Sequence, residues 1–279
     1  MRRLGFVQVH RMRDSRCGYT NKSLVAQPNS NKLMKINTLA TSALTVLLAI
    51  TSINALAAEN KSSNTGVDVA KAPGENFDLS GYKLQLPVAN GHSVVEVAPA
   101  MLRDYESNYF YTDKSSGAMV FSCPSNGATT RGSHYPRTEL RSLSEWNFTD
   151  SHSLTATLAV TQQPDNRDLI VGQIHGDGKG SEALKLRWHN GDIVAGVKTS
   201  LNTTEIRSTI AKGIALGEQF TYSIVQQDHA VTVTVNGASQ SFTYDASWDN
   251  ETVYFKAGNY LQDNSTSGAN GVVFFYKLN

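Results

Sequence analysis

The stretch Val231-Thr-Val-Thr-Val235-Asn236-Gly237-Ala-Ser239-Gln-Ser-Phe-Thr-Tyr244 decides the fold class. Valine and threonine alternate over its first five residues, so successive side chains would point to opposite faces of an extended strand. Asn236-Gly237 then supplies the two positive-φ positions that a two-residue turn between antiparallel strands requires. A second run with aromatic residues follows the turn. The stretch therefore predicts a β-hairpin.

The same pattern recurs along the chain. Leu184, Leu186 and Trp188 alternate with charged residues and lead into Asn190-Gly191, which predicts a second hairpin. Further strands are predicted at Tyr82–Leu86 (ending at Pro87), Leu154–Leu158, Phe220–Ile224, Val253–Ala257 and Val272–Leu278. One short helix is predicted within residues 97–104. These elements predict an all-β fold, an antiparallel two-sheet β-sandwich of the jelly-roll type with a substrate groove on its concave face.

The formal net charge of +1 for the 279 residues hides an uneven distribution. Residues 1–57 contain eight Lys or Arg and a single acid, Asp14, so the remainder has 17 basic and 23 acidic residues and a net charge of −6. This acidic part has no global positive field of the kind that attracts nucleic acid. We therefore expect no nucleic-acid partner, and any polyanion must be bound by a local group of cations.

The N-terminal region predicts export. Lys32 and Lys35 precede an apolar run over residues 39–53, and Ala55-Leu-Ala57 supplies a small-residue cleavage site, which is the order of a secretory signal peptide. The run is too short for a membrane span, so we expect no membrane association of the mature form. We predict a doubtful upstream leader at 1–33, a signal peptide at 34–57, a linker at 58–75 and one domain at 76–279. The mature protein would be secreted or periplasmic, and Cys123, its only cysteine, excludes an internal disulfide.

Three segments place polar groups on one face of a strand. In Arg137-Thr-Glu-Leu-Arg141 the two arginines and Glu139 share a face, which we expect to meet solvent or an anionic ligand because burying it would be costly. The alternative is a solvated, salt-bridged strand face. Gln173 and His175 share a face in the second segment. In the third, the residues on one face are Tyr254, Lys256, Gly258, Tyr260 and Gln262.

These residue types suit removal of a proton next to a carboxylate. Arginine and an amide donor can neutralise the carboxylate while negative charge develops, and a tyrosine or histidine can transfer the proton. The sequence shows no ligand spacing for a catalytic metal, no G-x-S-x-G elbow and no phosphate-binding glycine loop. We therefore predict no metal and no cofactor for the chemistry, although a calcium site at Asp177-Gly-Lys-Gly stays open.

The chain resembles the alginate lyases of polysaccharide lyase family seven. The matching motifs occur in the family's order and are Phe77-Asp-Leu-Ser-Gly-Tyr-Lys-Leu-Gln-Leu-Pro87, Gly127-Ala-Thr-Thr130 with Tyr135-Pro-Arg-Thr-Glu-Leu-Arg141, Gly172-Gln-Ile-His175, and Tyr254-Phe-Lys-Ala-Gly-Asn-Tyr-Leu-Gln262. One departure lies at Asn259-Tyr-Leu-Gln262, where the family more often has an aliphatic residue before the tyrosine and Asn after it. The resemblance implies that residues 76–279 form a jelly-roll catalytic domain that cleaves alginate, an anionic polysaccharide, by β-elimination at 1,4-linked uronates and gives unsaturated oligosaccharides.

The resemblance also implies roles for individual residues. Arg137 and Gln173 would neutralise the uronate carboxylate, and His175 and Tyr260 would transfer protons. Tyrosine would be the acid to the leaving oxygen and the base for mannuronate, with histidine the base for guluronate. The residues implied in substrate binding are Arg141 and Lys256 at neighbouring carboxylates, Gln262 along the groove, and Glu139, which would orient the two arginines. Isoleucine at 174 is associated with acceptance of guluronate-containing blocks, and we expect a monomer.

Three other functions stay open on the sequence alone. A non-catalytic carbohydrate-binding module could use the same sandwich and charged groove without an aligned acid and base. A lyase for another polyuronate, such as glucuronan, would need a similar site. A glycoside hydrolase is a weaker alternative because no strand shows two acids at the short spacing that would suggest a glycosidase pair. Two segments rich in glycine and small polar residues, 176–181 and 263–270, are candidate lids.

Overall fold

A computed structural model describes residues 66–178 and 182–279. The predicted leader, the signal peptide and the first part of the linker lie outside the described residues, as do positions 179–181 of the first candidate lid. Within the described linker residues, Ala72 and Pro73 are buried at the start of a short helix. No helix in the two described ranges is both long enough and apolar enough to cross a membrane.

Strands dominate the described residues, as the alternating patterns predict. Two short helices, α1 (Pro73–Asn76) and α2 (Pro99–Leu102), and one 3-10 turn (Ala246–Trp248) accompany them. The strands are β1 (Tyr82–Asn90), β2 (Ser93–Val97), β3 (Phe110–Thr112), β4 (Met119–Pro124), β5 (Arg137–Ser142), β6 (Ser151–Gln162), β7 (Asp168–Gly176), β8 (Glu182–His189), β9 (Asp192–Val197), β10 (Ile206–Ala211), β11 (Phe220–Gln227), β12 (Ala230–Val235), β13 (Ala238–Thr243), β14 (Val253–Leu261) and β15 (Asn270–Leu278). The short helix predicted within 97–104 is confirmed as α2.

Both predicted Asn-Gly hairpins are confirmed. β12 and β13 pair antiparallel from Val235↔Ala238 to Ala230↔Thr243, and Asn236 and Gly237 between them have φ angles of 48° and 89°. β8 and β9 pair in the same way around Asn190 and Gly191, with φ angles of 49° and 92°. Positive φ at both central positions matches the right-handed twist of the strands that they join.

The strands form two antiparallel sheets, which confirms the predicted sandwich. One sheet has the order β10-β9-β8-β7-β14-β5-β1-β2, and the other has the order β13-β12-β11-β6-β15-β4-β3. The last two strands of the chain therefore lie inside the sheets: β14 separates β7 from β5, and β15 separates β6 from β4. This placement of β14 brings strands that are distant in sequence to either side of it.

The apolar side chains of the two sheets meet in one core. Phe121 of β4 packs edge-on against Phe110 and Phe275, with ring centroids 5.2 and 5.0 Å apart. Burying a phenylalanine side chain of this kind contributes roughly 1.5–3 kcal/mol relative to leaving it in water. Cys123 also lies fully within this core as a free thiol, and burial raises its pKa well above the ordinary value.

The predicted end of the first strand at Pro87 is wrong. β1 continues to Asn90, and its pairing with β2 shifts register between Gln85 and Ala89. Proline has no N–H to donate and is tolerated in strands at such irregular positions. The Pro87 carbonyl still accepts a hydrogen bond from the backbone N–H of Ala128, at 3.0 Å.

Candidate active site

The alternation predicted for β5 is present in the structure. Leu140 is fully buried in the core, and the Thr138 hydroxyl donates to the Ser122 carbonyl of the other sheet at 2.7 Å. Arg137, Glu139 and Arg141 therefore project from the opposite, outer face of their sheet. Leu140 and Thr138 hold the strand from behind, so the positions of the charged side chains are tied to the packing of the core.

The three polar segments lie on adjacent strands. In the register of β14 with β5, Lys256 lies opposite Arg141 and Tyr260 opposite Arg137. In the register of β14 with β7, Tyr254 lies opposite His175 and Lys256 opposite Gln173. The structure thus brings together seven of the predicted residues, which we call the sheet-face cluster: Arg137, Glu139, Arg141, Gln173, His175, Lys256 and Tyr260.

A bulge in β14 sets the position of Tyr260 relative to β7. The pairing with β7 shifts between Ala257 and Tyr260, and Gly258 there has a φ of 143°. A Cβ on Gly258 would lie 2.8 Å from the Thr138 carbonyl oxygen, so only glycine fits without displacement. The buried Asn259 donates from Nδ2 to the carbonyls of Phe121 and Gly271 in the other sheet, at 3.2 and 2.8 Å. The bulge is therefore fastened to the core.

Glu139 is the centre of the sheet-face cluster. Its side chain is 0 % exposed, and its carboxylate accepts from Lys256 Nζ at 2.5 Å, Gln173 Nε2 at 2.5 Å and Arg137 Nη1 at 3.3 Å. Burial opposes ionisation of Glu139, but the charges of Lys256 and Arg137 outweigh it and hold the pKa of the carboxyl below its ordinary value. Burial and the nearby Arg137 also lower the pKa of Lys256 to about 8.

We expected this strand face to meet solvent or an anionic ligand, and its centre is buried from solvent. Arg137 and Lys256 are only 5 % and 3 % exposed, and their cationic groups pair with the Glu139 carboxylate. Burial is tolerated because each charge has an opposite partner at hydrogen-bond distance. The sequence pattern of β5 by itself contains no sign of Lys256, which supplies the second cation.

Arg141 is not oriented by Glu139, contrary to the prediction. Its guanidinium ion-pairs with Glu145, donates to the Ser142 carbonyl at 3.0 Å and lies 3.8 Å from the ring centroid of Tyr254. Lys256 lies opposite Arg141 in the sheet and forms the ion pair with Glu139. Arg141 pairs with Glu145 instead. Through Tyr254, whose hydroxyl lies 3.1 Å from His175 Nδ1, Arg141 is placed near the His175 end of the sheet-face cluster.

His175 is present as a neutral base at pH 7. Burial, assisted by the nearby Lys256, lowers its pKa to about 4. Its Nδ1 lies 2.6 Å from the Gly176 carbonyl oxygen and 3.1 Å from the Tyr254 hydroxyl. Because a carbonyl oxygen can only accept, Nδ1 carries the proton of the neutral ring and Nε2 carries the free lone pair.

Tyr260 is held from both sides. The Arg137 guanidinium lies 3.9 Å from its ring centroid, and the ring of Tyr135 packs edge-on at 6.4 Å. The Tyr260 hydroxyl is 3.1 Å from the Ser133 hydroxyl, which also accepts from Arg137 Nη2 at 2.9 Å. Ser133 has no role in the sequence-based prediction, because it lies in the loop before β5, where no periodicity gives its direction.

Gln262 joins a second charged group, and its Nε2 also lies 3.5 Å from the Tyr260 carbonyl oxygen. Its Oε1 accepts from Arg187 Nη1 at 3.4 Å, and the same guanidinium pairs with Asp168 at 3.2 Å and Glu205 at 3.1 Å. Despite partial burial, Lys185 and Arg187 lower the pKa of Glu205 to about 2. Gln262 therefore belongs to a second charged group at the other end of β7.

The described residues offer no metal cage at the sheet-face cluster. In the parts of the chain that the structure describes, no three His, Cys, Asp or Glu side chains are grouped so that they could hold a metal ion. A cavity of about 660 Å³, lined among others by Glu106, Tyr111 and Lys114, and another of about 280 Å³ beside Trp188 share no residue with the cluster. A site built on the cluster would lie on the sheet face.

Comparison with known proteins identifies the family. The family model described as "Alginate lyase" matches residues 77–279. The chain belongs to the alginate lyase family. The crystal structure of alginate lyase A1-II′, a member of polysaccharide lyase family 7, is 37 % identical to this alginate lyase domain, with a TM-score of 0.70 over 75 % of this chain and 97 % of that chain.

Two further alginate lyases agree. Alginate lyase PA1167 from Pseudomonas aeruginosa is 32 % identical, with a TM-score of 0.67 over 72 % of this chain and 98 % of that one. An alginate lyase of Klebsiella pneumoniae is 26 % identical over 74 % of this chain and 90 % of its own length. The resemblance to family seven and the prediction of a polysaccharide lyase are confirmed.

Proposed function

We propose that this alginate lyase cleaves its polymer by β-elimination at 1,4-linked uronates. The base removes the C5 proton, the electron pair forms a C4–C5 double bond, the C4–O bond breaks and the acid protonates the leaving oxygen. The observation that supports this most directly is the placement of Arg137, His175 and Tyr260 on one face of three adjacent strands, β5, β7 and β14. An anion stabiliser, a neutral base and an acid are then available together.

Arg137 and Gln173 would neutralise the carboxylate next to the reacting carbon. Arg137 Nε is buried without a hydrogen-bond partner among the described residues, and buried donors of this kind are rarely left unused. Gln173 gives one N–H to Glu139, and its second N–H would be directed to the substrate. Because Gln173 is fully buried, this role requires its side chain or a neighbour to move as the uronate binds.

His175 and Tyr260 would divide the proton transfers. The neutral His175 has its Nε2 lone pair available at neutral pH, which suits the base for guluronate. Tyr260 would protonate the leaving oxygen and act as base for mannuronate. Isoleucine at position 174 favours acceptance of guluronate-containing blocks. In support, variants of alginate lyase A1-II′ are known in complex with the substrate GGMG and with the product GGG.

The positive charges beside the catalytic residues would hold the polymer. With a net charge of −6 outside residues 1–57, this protein must bind a polyanion through local cations. Arg141 is the most exposed cation of the sheet-face cluster and is therefore the candidate for direct contact with the polymer. Its guanidinium lies over the ring of Tyr254. Lys256 is buried and bonded to Glu139 and Gln85, so it would attract the polymer by its charge without contacting it directly.

A product assay tests the proposal. The protein is incubated with alginate, poly-mannuronate, poly-guluronate and glucuronan, and ultraviolet absorbance reports the new double bond. We expect absorbance to rise with the alginate-type polymers and to be lost in Tyr260→Phe, which keeps the ring against Arg137. Binding without absorbance would indicate a carbohydrate-binding module, and a rise with glucuronan alone would indicate a different polyuronate lyase.

We also propose that the protein is exported, with cleavage near Ala57. The order of charged, apolar and small residues in 34–57 supports this. N-terminal sequencing of protein recovered from outside the cytoplasm tests it. A first residue upstream of position 34 would contradict the assignment.

A further inference from the structure

Ser133 lies where the two proposed catalytic side chains of β5 and β14 meet. Its Oγ is 2.9 Å from Arg137 Nη2 and 3.1 Å from the Tyr260 hydroxyl. The same hydroxyl donates to the Tyr135 carbonyl at 3.0 Å and accepts from the Tyr135 N–H at 3.3 Å. The backbone of Tyr135 therefore fixes the position of Ser133 without help from a substrate.

Counting protons gives the direction of each hydrogen bond. A serine hydroxyl has one proton, and Arg137 can only donate to it. When Ser133 donates to the Tyr135 carbonyl, a hydrogen bond between the two hydroxyls must have Tyr260 as its donor, and the two lone pairs of Ser133 Oγ are then shared among Tyr260, Arg137 Nη2 and the weaker 3.3 Å contact from the Tyr135 N–H. When Tyr260 has released its proton, Ser133 can turn its own proton from the Tyr135 carbonyl to the phenolate oxygen. One hydroxyl can thus satisfy Tyr260 in both of its protonation states.

We propose that Ser133 is a positioning residue of the reaction, which holds the Tyr260 hydroxyl and the Arg137 guanidinium in place and stabilises Tyr260 after proton release. This inference rests on the proposed proton-transfer role of Tyr260. Glu139 fixes only one terminal nitrogen of Arg137, Nη1, through a contact of 3.3 Å. The contact of the guanidinium with the Tyr260 ring is not a directional bond, so Ser133 supplies the hydrogen bond that fixes the second nitrogen, Nη2. Hydrogen-bond donors and acceptors that are fixed before the reaction stabilise the charge that develops in the transition state most effectively.

Steady-state kinetics of Ser133→Ala, Ser133→Thr and Ser125→Ala test the proposal. A hydrogen bond to a developing charge that is lost in Ser133→Ala should lower kcat roughly 10- to 100-fold, with KM changed less than about 2-fold. Ser133→Thr keeps the hydroxyl and should restore most of kcat. Ser125→Ala is the matched control, because Ser125 lies in the same loop and bonds to Ser265. Unchanged kcat in Ser133→Ala, or equal losses in Ser133→Ala and Ser133→Thr, would overturn the proposal.

A spectroscopic readout separates this inference from the proposed function. In protein labelled with ¹³C at tyrosine Cζ, the Tyr260 resonance is assigned by its loss in Tyr260→Phe. We expect it to shift in Ser133→Ala and to remain in place in Ser125→Ala. An enzyme that gives no ultraviolet product with any polyuronate would sink the proposed function, whereas an unmoved Cζ resonance in Ser133→Ala would refute the Ser133 contact itself.

Discussion

Replacing Glu139 with glutamine removes one negative charge and almost no volume from the centre of the sheet-face cluster. The structure sets the magnitude of the effect. Arg137 and Lys256 are nearly fully buried and both pair with this carboxylate, so Glu139→Gln leaves two buried cations without their counter-charge. Breaking a buried pair from one side typically costs about 3–5 kcal/mol. For a domain of this size that corresponds to a fall of roughly 6–20 °C in Tm.

Urea unfolding of Glu139→Gln at pH 7 measures this cost, with Glu145→Gln as the matched control. Glu145 also pairs with an arginine, but its side chain is 42 % exposed, so the control should lose no more than about 1 kcal/mol. Equal losses in the two variants, within about 0.5 kcal/mol, would refute the conclusion that the buried charges depend on Glu139.

The pH dependence of the same measurement identifies Lys256 as a partner. The pKa of Lys256 is about 8 in the folded protein, below the ordinary lysine value, so the unfolded chain binds more protons between about pH 8 and pH 10. This group therefore makes wild-type stability rise with pH in that window. Because native Lys256 is mostly neutral at pH 9, the cost of Glu139→Gln should be smaller at pH 9 than at pH 7. A cost that grows with pH would contradict the assignment.

Three further predictions address neighbouring positions. Arg137→Ala should lower kcat by at least about 100-fold, whereas Arg141→Ala should mainly raise KM; initial rates of ultraviolet product formation distinguish the two, and losses confined to KM in both would exclude a catalytic role for Arg137. The pKa of His175 is lowered to about 4, so the unfolded chain binds the additional proton and stability should fall as the pH drops from about 6.5 to about 4. Urea unfolding should show a flatter pH dependence for His175→Gln, and identical slopes would contradict the shift. Gly258→Ala should cost about 1–3 kcal/mol or more, because φ is 143° and the new Cβ would meet backbone atoms. Gly217→Ala, which also has positive φ but open space around it, should cost less in thermal unfolding, and a larger loss there would contradict the steric argument.

Local chemistry made much of the fold predictable. Asn236-Gly237 and Asn190-Gly191 define their turns with little help from the rest of the chain, because few other residue pairs adopt positive φ twice in succession. The shared face of Tyr254, Lys256 and Tyr260 was also predictable, since period two is a property of the strand itself. The bulge at Gly258 keeps that face in register with β5 and shifts it only against β7.

Partners from distant segments could not be predicted in the same way. Glu139 is buried together with its partners Lys256 and Gln173, which come from strands far along the chain. The sequence near Glu139 contains neither partner and therefore suggested an accessible face. Arg141 bonds to Glu145, four residues ahead, because the register with β14 leaves the Glu139 carboxylate to Lys256. Ser133 depends on the path of a loop, and neither its residue type nor its spacing gives that path.

The central positions of β14 and β15 constrain the order in which the protein can fold. Without these two strands both sheets divide at the same place, with β1–β5 on one side and β6–β13 on the other. Neither portion can pair with the other across either sheet until residues 253–279 are available. Non-local pairing of this kind folds slowly, so the two portions of a nascent chain would remain unpaired until residues 253–279 have been made. Arg137 and His175, one from each portion, lie on the two strands that flank β14, so the sheet-face cluster can form only after β14 has paired with both.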